Sequence, residues 1–297
     1  MLAGALHHLR AIVSIISHPI PNPPISNDGM PLESEYADDA DFLNEDKQCL
    51  EALLPIAKCT FEEWNLFINE EKTEFTHVFL ASKGQKMPDN NDKLLAGNES
   101  WRSSKILGSL LCSEADIAAR CISGNIAFNS FKNVWCKNRK ISLHKKLRVY
   151  EAQVVSVILY NCCSWSPTKK SLEKLDICHR KHLRNILNIK WPQGVISNKN
   201  LYERCNSTPL SDRVASSRWR MLGHILRSSE LTPASLALFF AVDGSHDLKG
   251  RLGRPRCNLL NTLRDDLAKR KLSLDSKSDI YVLRNIASNR VQWRNLY

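Results

Sequence analysis

From Leu50 onward, apolar residues recur at Leu50, Leu53, Leu54, Ala57, Phe61 and Trp64. That i, i+3, i+4, i+7, i+11, i+14 spacing draws one face of a helix, and Pro55 within it predicts a kink. Ahead of the helix, two short apolar segments at 32–36 and 40–43 flank the acidic pair Asp38-Asp39. Short runs around a polar corner predict a β-hairpin with its tip at the acid pair. Further strands are predicted at 75–81 and 106–111, separated by a polar turn region at 84–98. The first 112 residues therefore read as α+β with a short antiparallel sheet.

Beyond Cys112 the period changes. Leu143, Leu147, Tyr150, Val154 and Val157 fall on one helical stripe. Further helices are predicted at about 170–187, 210–227, 259–271 and 277–295, with Pro167, Pro192, Pro209, Pro233 and Pro255 as punctuation. The resulting organisation is a lead-in with the end of a helix (1–10) and a Pro-rich connector up to residue 30, an α+β region at 31–112, a helical region at 113–190 and a second helical region at 191–297. No internal repeat or low-complexity tract interrupts it.

Charge sharpens this division. The net charge of +11 is unevenly spread: 10 Lys+Arg against 19 Asp+Glu in 1–131, 20 against 5 in 132–227, and 12 against 7 in 228–297. A middle third that basic repels itself unless a polyanion offsets it, and phosphate backbones are the commonest polyanion a soluble protein meets. The ten cysteines are scattered without a repeated spacing, which fits a reducing compartment. The apolar run at 11–16 is short and leads into prolines, so no targeting peptide or membrane span is predicted, and the expected location is intracellular, nuclear or cytoplasmic.

The sharpest chemical feature is Tyr36-Ala37-Asp38-Asp39. Hard divalent cations take carboxylate oxygens, and two-metal phosphoryl transfer needs such groups clustered about both ions. Neighbouring residues on a straight strand point to opposite faces, so both acids reach a metal only at a tight corner. Asp38 is the expected principal ligand, with Asp39 beside it. Downstream, Asn69-Glu70-Glu71-Lys72-Thr73-Glu74 opens the next predicted strand, where the Lys72 ammonium would hold phosphate charge or protonate a pyrophosphate leaving group.

The order of these segments, YADD, amphipathic helix, NEEKTEF, then Trp101 and Lys105-Ile106-Leu107-Gly108, resembles the second half of the palm of a reverse transcriptase, of the non-LTR (LINE-type) retrotransposon kind. The likeness extends from Leu32 through Arg218-Trp219-Arg220-Met221-Leu222-Gly223-His224 and on to Gly250–Arg256. It implies a partial palm followed by a helical thumb and C-terminal region, with two-metal nucleotidyl transfer using Mg²⁺ or Mn²⁺. Asp38 and Asp39 match the metal-binding pair, Lys72 the palm lysine near the incoming nucleotide, and Leu107 and Gly108 a hairpin that grips the primer end. The implied partners are an RNA template and DNA primer, or their heteroduplex, and DNA at the target site. Phosphate contacts are expected from Lys137, Arg139, Lys140, Lys145, Lys146, Arg148, Arg180, Lys181 and Arg184, with Arg254 and Arg256 further on. The upstream palm strand with a further metal-binding Asp has no counterpart before Leu32, so the isolated chain is expected to lack polymerase activity. Two other readings stay open, a non-catalytic nucleic-acid-binding module and a decayed element without function.

Three weaker signals complete the sequence. Cys162, Cys163, Cys178, His179 and His182 lack the C-x₂-C pair of structural zinc sites and read first as helix-facing, partly buried residues. Arg254-Pro255-Arg256 has the character of a minor-groove reader or of a loop before a helix. His224 lacks a catalytic partner at an interpretable spacing, and most tryptophans are expected in cores.

Overall fold

A computed structural model describes residues 33–36, 39–42, 47–69, 73, 105–133, 135, 140–190, 194–243 and 258–297. The predicted helix end at 1–10, the connector up to residue 30 and the strand at 75–81 lie outside these residues. The chain divides into two compact units, 1–76 with 229–244, and 77–228 with 245–297. Among the described residues the fold is mostly helical, with two short antiparallel hairpins.

The first unit opens with β1 (Glu33–Tyr36) and β2 (Asp39–Phe42) in antiparallel register, Glu33 opposite Phe42 and Tyr36 opposite Asp39. That register leaves two residues to join the strands, the connection length that best suits strand twist. α1 (Lys47–Glu63) follows and runs through Pro55. Its predicted stripe faces inward: Ala57 and Phe61 are buried, and Phe42, Ile56, Trp64, Leu66 and Ile68 pack against them. Thr60, on the same face, is buried because its hydroxyl donates to Ile56 O at 2.9 Å, which removes the cost of an unpaired polar group. The helix stops where Asn65 turns left-handed (φ 56°) and Leu66 N returns to Phe61 O at 2.9 Å, a capping use to which Asn is suited. α8 (Pro233–Asp243) belongs to this unit. Its sequence, PASLALFFAVD, is apolar on all sides and offers no period from which a helix could be predicted.

The second unit begins with β3 (Lys105–Ile106) and β4 (Ser109–Leu110), then α2 (Ser113–Ser130) and α3 (Leu143–Tyr150). A π-helical turn at Glu151–Val155 carries α3 into the short α4 (Ser156–Ile158). α5 (Lys169–Ile186), α6 (Asn198–Cys205) and α7 (Leu210–Arg227) follow, and α9 (Leu259–Ala268), α10 (Lys277–Ser288) and α11 (Arg290–Asn295) complete it. Of the predicted stripe, Tyr150 and Val154 are buried and Leu143, Leu147 and Val157 half-buried. Past the π-helical turn Ile158, not Val157, takes the buried position, and the three buried residues pack with Ile117 and Phe128 of α2 and Leu175, Leu183 and Ile186 of α5. Close approach of α2 depends on Gly124, where an added Cβ would collide with Ile158 Cγ1.

Two predicted boundaries need correction. The 277–295 helix is two helices, because Asn289 adopts an extended backbone (φ −84°, ψ 99°) and its side chain accepts from Val291 N and Gln292 N at 3.1 and 3.0 Å. An Asn that can cap a new helix competes with continuing the old one. The helix at 259–271 ends at Ala268, with Lys271 left-handed at φ 58°. By contrast 210–227 coincides with α7, and 170–187 differs from α5 by one residue at each end.

Candidate nucleic-acid interface

The reverse turn between β3 and β4 is the best-defined element of the candidate site. A single strand is predicted at 106–111, but the chain reverses at Leu107 and Gly108, both with positive φ (48° and 75°), and pairs Ile106 with Ser109. A two-residue turn with both residues left-handed matches strand twist, and glycine at the second position lowers its cost. The turn is held from outside. Tyr160 Oη, from the turn after α4, donates to Leu107 O at 2.9 Å, and Arg120 Nη2, from α2, donates to Gly108 O at 2.5 Å and to Ser109 Oγ at 3.1 Å. The Arg120 guanidinium also lies 4.5 Å from the Tyr160 ring centre, so the two clamping side chains brace each other. Ile106, Leu107 and Gly108 themselves remain exposed.

Beneath the turn sits Asp116, buried at 2% exposure. Its Oδ1 accepts from Leu110 N at 3.0 Å and its Oδ2 from Trp165 Nε1 at 2.8 Å, while Arg120 Nε stands 3.5 Å away. One carboxylate thus joins the hairpin, the first turn of α2 and the buried Trp165. Asp116→Ala leaves two donors without an acceptor, and a stability loss of about 2–3 kcal/mol is expected. Hydrogen exchange at the Leu110 amide, which should accelerate far more than exchange in α7, checks that the loss is centred on the hairpin.

The basic residues divide into anchored and exposed. On α3, Lys145 and Arg148 are exposed one turn apart, whereas Lys146 is drawn in to donate to Trp135 O at 2.8 Å. Lys140 is exposed in the turn before α3. On α5, Arg180 pairs with Glu173 at 2.5 Å, Arg184 donates to Asn198 Oδ1 at 2.7 Å, and Lys181 is exposed. Arg180, Lys181 and Arg184 border a shallow cavity of about 540 Å³ together with Ile189 and Asn198. Lys145, Arg148 and Lys181 are therefore more available for phosphate than Lys146, Arg180 and Arg184, which already give donors to protein acceptors. Asp38, Lys72, Lys137, Arg139, Arg254 and Arg256 lie outside the described residues. Asp39 is the first residue of β2.

No family model matches the chain, and neither a curated protein nor a solved structure matches it.

The Cys/His group forms a buried polar cluster. Tyr150 Oη lies 2.8 Å from His179 Nδ1 and 3.3 Å from His182 Nδ1. His182 Nε2 reaches Asn125 Oδ1 at 2.8 Å, and His179 Nε2 reaches Ser207 Oγ at 3.2 Å. A neutral pair of rings satisfies every nitrogen: His182 donates to Asn125 and accepts from Tyr150, while His179 donates to Tyr150 and accepts from Ser207. The His182 ring stacks on Phe128 with centroids 4.2 Å apart. Burial lowers His179 to a pKa of about 3, helped by the Arg213 charge, and lowers His182 to about 4, helped by Lys181. Among the described residues no three His, Cys, Asp or Glu converge as metal ligands. Their eight cysteines are free thiols, and no helix among them is long and apolar enough to cross a membrane.

Two side chains that hold the Leu107–Gly108 turn, Arg120 and Tyr160, could not be picked out from the sequence. Each is 12 or more residues from the carbonyl it holds, Tyr160 by 53. Nothing in local spacing signals such a pairing.

Proposed function

We propose that this chain is part of a reverse transcriptase of the non-LTR retrotransposon kind, and that its second unit holds a primer–template duplex. The observation that carries the reading is the Leu107–Gly108 turn. Its apolar tip is exposed, and both of its carbonyls are fixed by side chains of the helical unit. A rigid projecting turn can press on a sugar–phosphate strand without paying to order itself, which is what a primer grip requires. The exposed Lys145, Arg148 and Lys181 on α3 and α5 supply cations for the duplex backbone.

The chemistry would fall to Asp38 and Asp39. They are the pair that the resemblance matches to metal-binding carboxylates, and Asp39 opens β2. Carboxylate oxygens are the donor type that Mg²⁺ prefers. The ion would polarise the phosphoryl group under attack. A second reading, a nucleic-acid-binding module without catalysis, is favoured by the second unit's own core, which uses no residue of the first.

The test is binding of an RNA–DNA hybrid by fluorescence anisotropy over a range of salt. Lys145→Gln, Arg148→Gln and Lys181→Gln together should lower the log–log salt slope by about 2–3, at about 0.7–0.9 per phosphate contact. A slope unchanged by the triple substitution refutes the duplex-binding face. Primer extension by the isolated chain is expected to equal that of its Asp38→Ala control, and incorporation well above that control would refute this expectation.

A further inference from the structure

Among the described residues a second concentration of positive charge lies between α7 and α11. Arg220, His224 and Arg227 follow one face of α7 at i, i+4 and i+7, and Arg290 and Arg294 lie one turn apart on α11. All five border a cleft of about 680 Å³. No Asp or Glu side chain lines it, and among the described residues none of the four guanidiniums is paired with a carboxylate. Arg220 and Arg227 reach only backbone carbonyls, Ser216 O at 3.3 Å and Ala287 O at 3.2 Å. Burial, with the Arg290 and Arg294 charges, lowers the Arg227 guanidinium from its ordinary pKa.

The cleft is built rather than incidental. Its floor is the Trp219–Trp293 pair, whose rings stack with centroids 4.2 Å apart at 7° and whose indole nitrogens donate to each other's backbone carbonyls at 2.9 and 3.1 Å. Gly223 permits this, since a Cβ there would strike the Trp293 ring. Arg270, which is not part of the cleft lining, braces these rings with its guanidinium 4.5 Å from the Trp219 ring centre and 4.8 Å from that of Tyr297. The tryptophans are both 3% exposed, so they fix the two helices and leave recognition to the arginines. Four like charges on a rigid frame repel one another until an anion joins them, and the planar guanidinium fork suits phosphate oxygens.

We propose that this cleft binds the phosphodiester backbone of a single nucleic-acid strand. Two arginine rails line it, Arg290 and Arg294 one turn apart on α11 and Arg220 and Arg227 two turns apart on α7 with His224 between them. One-turn spacing, about 5–6 Å between Cβ atoms, is on the scale of successive phosphates in an extended strand, and a concave channel between two helices admits one strand more readily than a duplex. The inference rests on nucleic acid being the partner of this unit, but on none of the residues of the α3 and α5 faces.

The test uses the full chain with a labelled 20-nucleotide poly(dT) strand and a duplex of equal length. Arg290→Gln/Arg294→Gln alters two exposed side chains, and Arg220→Gln is a second variant on the opposite rail. For each, binding to the single strand should weaken, about tenfold for the double variant, with its salt slope lower by about 1.4 at about 0.7 per contact, while duplex binding changes less than threefold. Thermal midpoints should hold or rise as like charge is removed. Unchanged single-strand affinity in both variants, equal loss for strand and duplex, or displacement of poly(dT) by pyrophosphate or polyglutamate at matched charge overturns the proposal. If Lys145→Gln/Arg148→Gln weakens hybrid binding and the cleft variants do nothing, only the cleft assignment fails. If the reverse holds, the duplex face fails and the cleft stands.

Discussion

Lowering the pH from 7 to 5 should cost this protein about 4 kcal/mol of stability through two side chains, His179 and His182. Both are held neutral in the fold, with pKa values of about 3 and about 4, chiefly by burial. In the unfolded chain each returns to about 6.5. Because the folded values are lower, the unfolded state binds more protons in the interval between, so stability rises with pH there. The contribution is complete above about pH 6.5 and is lost as pH falls toward 4. Each histidine gives up about 1.4 kcal/mol per pH unit within that window, hence about 2 kcal/mol each by pH 5. Urea unfolding at pH 7, 6 and 5 measures it directly. A flat stability across that range, or the assigned ring resonances of His179 or His182 titrating near 6.5 in the folded protein, would show that the cluster is not sealed as described. Since small domains are stable by only about 5–15 kcal/mol, mild acid should bring the second unit close to unfolding.

That sensitivity grows out of a feature legible only in part from sequence. Cys178, His179 and His182 sit on α5 at spacings that place them on the buried side, and the reading of them as inward-facing is consistent with what α5 does. What spacing could not supply is Tyr150, 29 and 32 residues away, whose hydroxyl bridges the two rings. Burial pushes the Tyr150 phenol well above its ordinary pKa, so it remains a neutral donor and acceptor throughout the pH range at issue. The polar cluster belongs to the meeting of three helices, and tertiary neighbours are invisible to a one-dimensional period.

Elsewhere the same distinction recurs. α1, α5 and α7 were legible because each carries a one-sided apolar stripe. The strand expected at 106–111 failed because the apolar residues on either side of Gly108-Ser109 read as one run; the Gly108 turn signal was present, but Leu107 at positive φ is an uncommon choice. α6 was missed although Ser197 caps it by accepting from Asn200 N at 3.1 Å, since a helix of eight residues shows too few periodic positions to stand out. The basic region was legible as charge, yet charge alone did not separate Lys145 from Lys146 or reveal that the arginines of α7 and α11 converge. Arg220 and Arg294 are 74 residues apart in the chain, and only the Trp219–Trp293 pair brings them to one cleft.

The same packing of α7 gives the second large expectation. Asp266→Ala should destabilise the protein by about 3–5 kcal/mol. Arg218, 4% exposed on α7, donates from Nε and Nη2 to Asp266 Oδ2 at 3.2 and 2.9 Å, and Lys269 reaches Asp266 Oδ1 at 3.1 Å. Arg218 Nη1 has no partner, so the guanidinium already lacks one hydrogen bond, and removal of Asp266 would leave a buried cation with no acceptor at all. Lys269, being largely exposed, would return to water at little cost, so nearly all of the penalty falls on Arg218. A pair of apolar replacements, Arg218→Met with Asp266→Leu, should recover most of the loss, because the penalty comes from the stranded charge and not from the missing attraction. Urea denaturation of the three proteins decides it: an Asp266→Ala loss below about 1 kcal/mol, or a double variant no better than the single, would mean that water or a backbone shift satisfies Arg218. Arg218 and Trp219 are neighbours on α7, one tying the helix to α9 through charge and the other to α11 through stacked rings. Loosening the first should therefore also widen the arginine cleft, and single-strand affinity should fall in Asp266→Ala but return in the double variant.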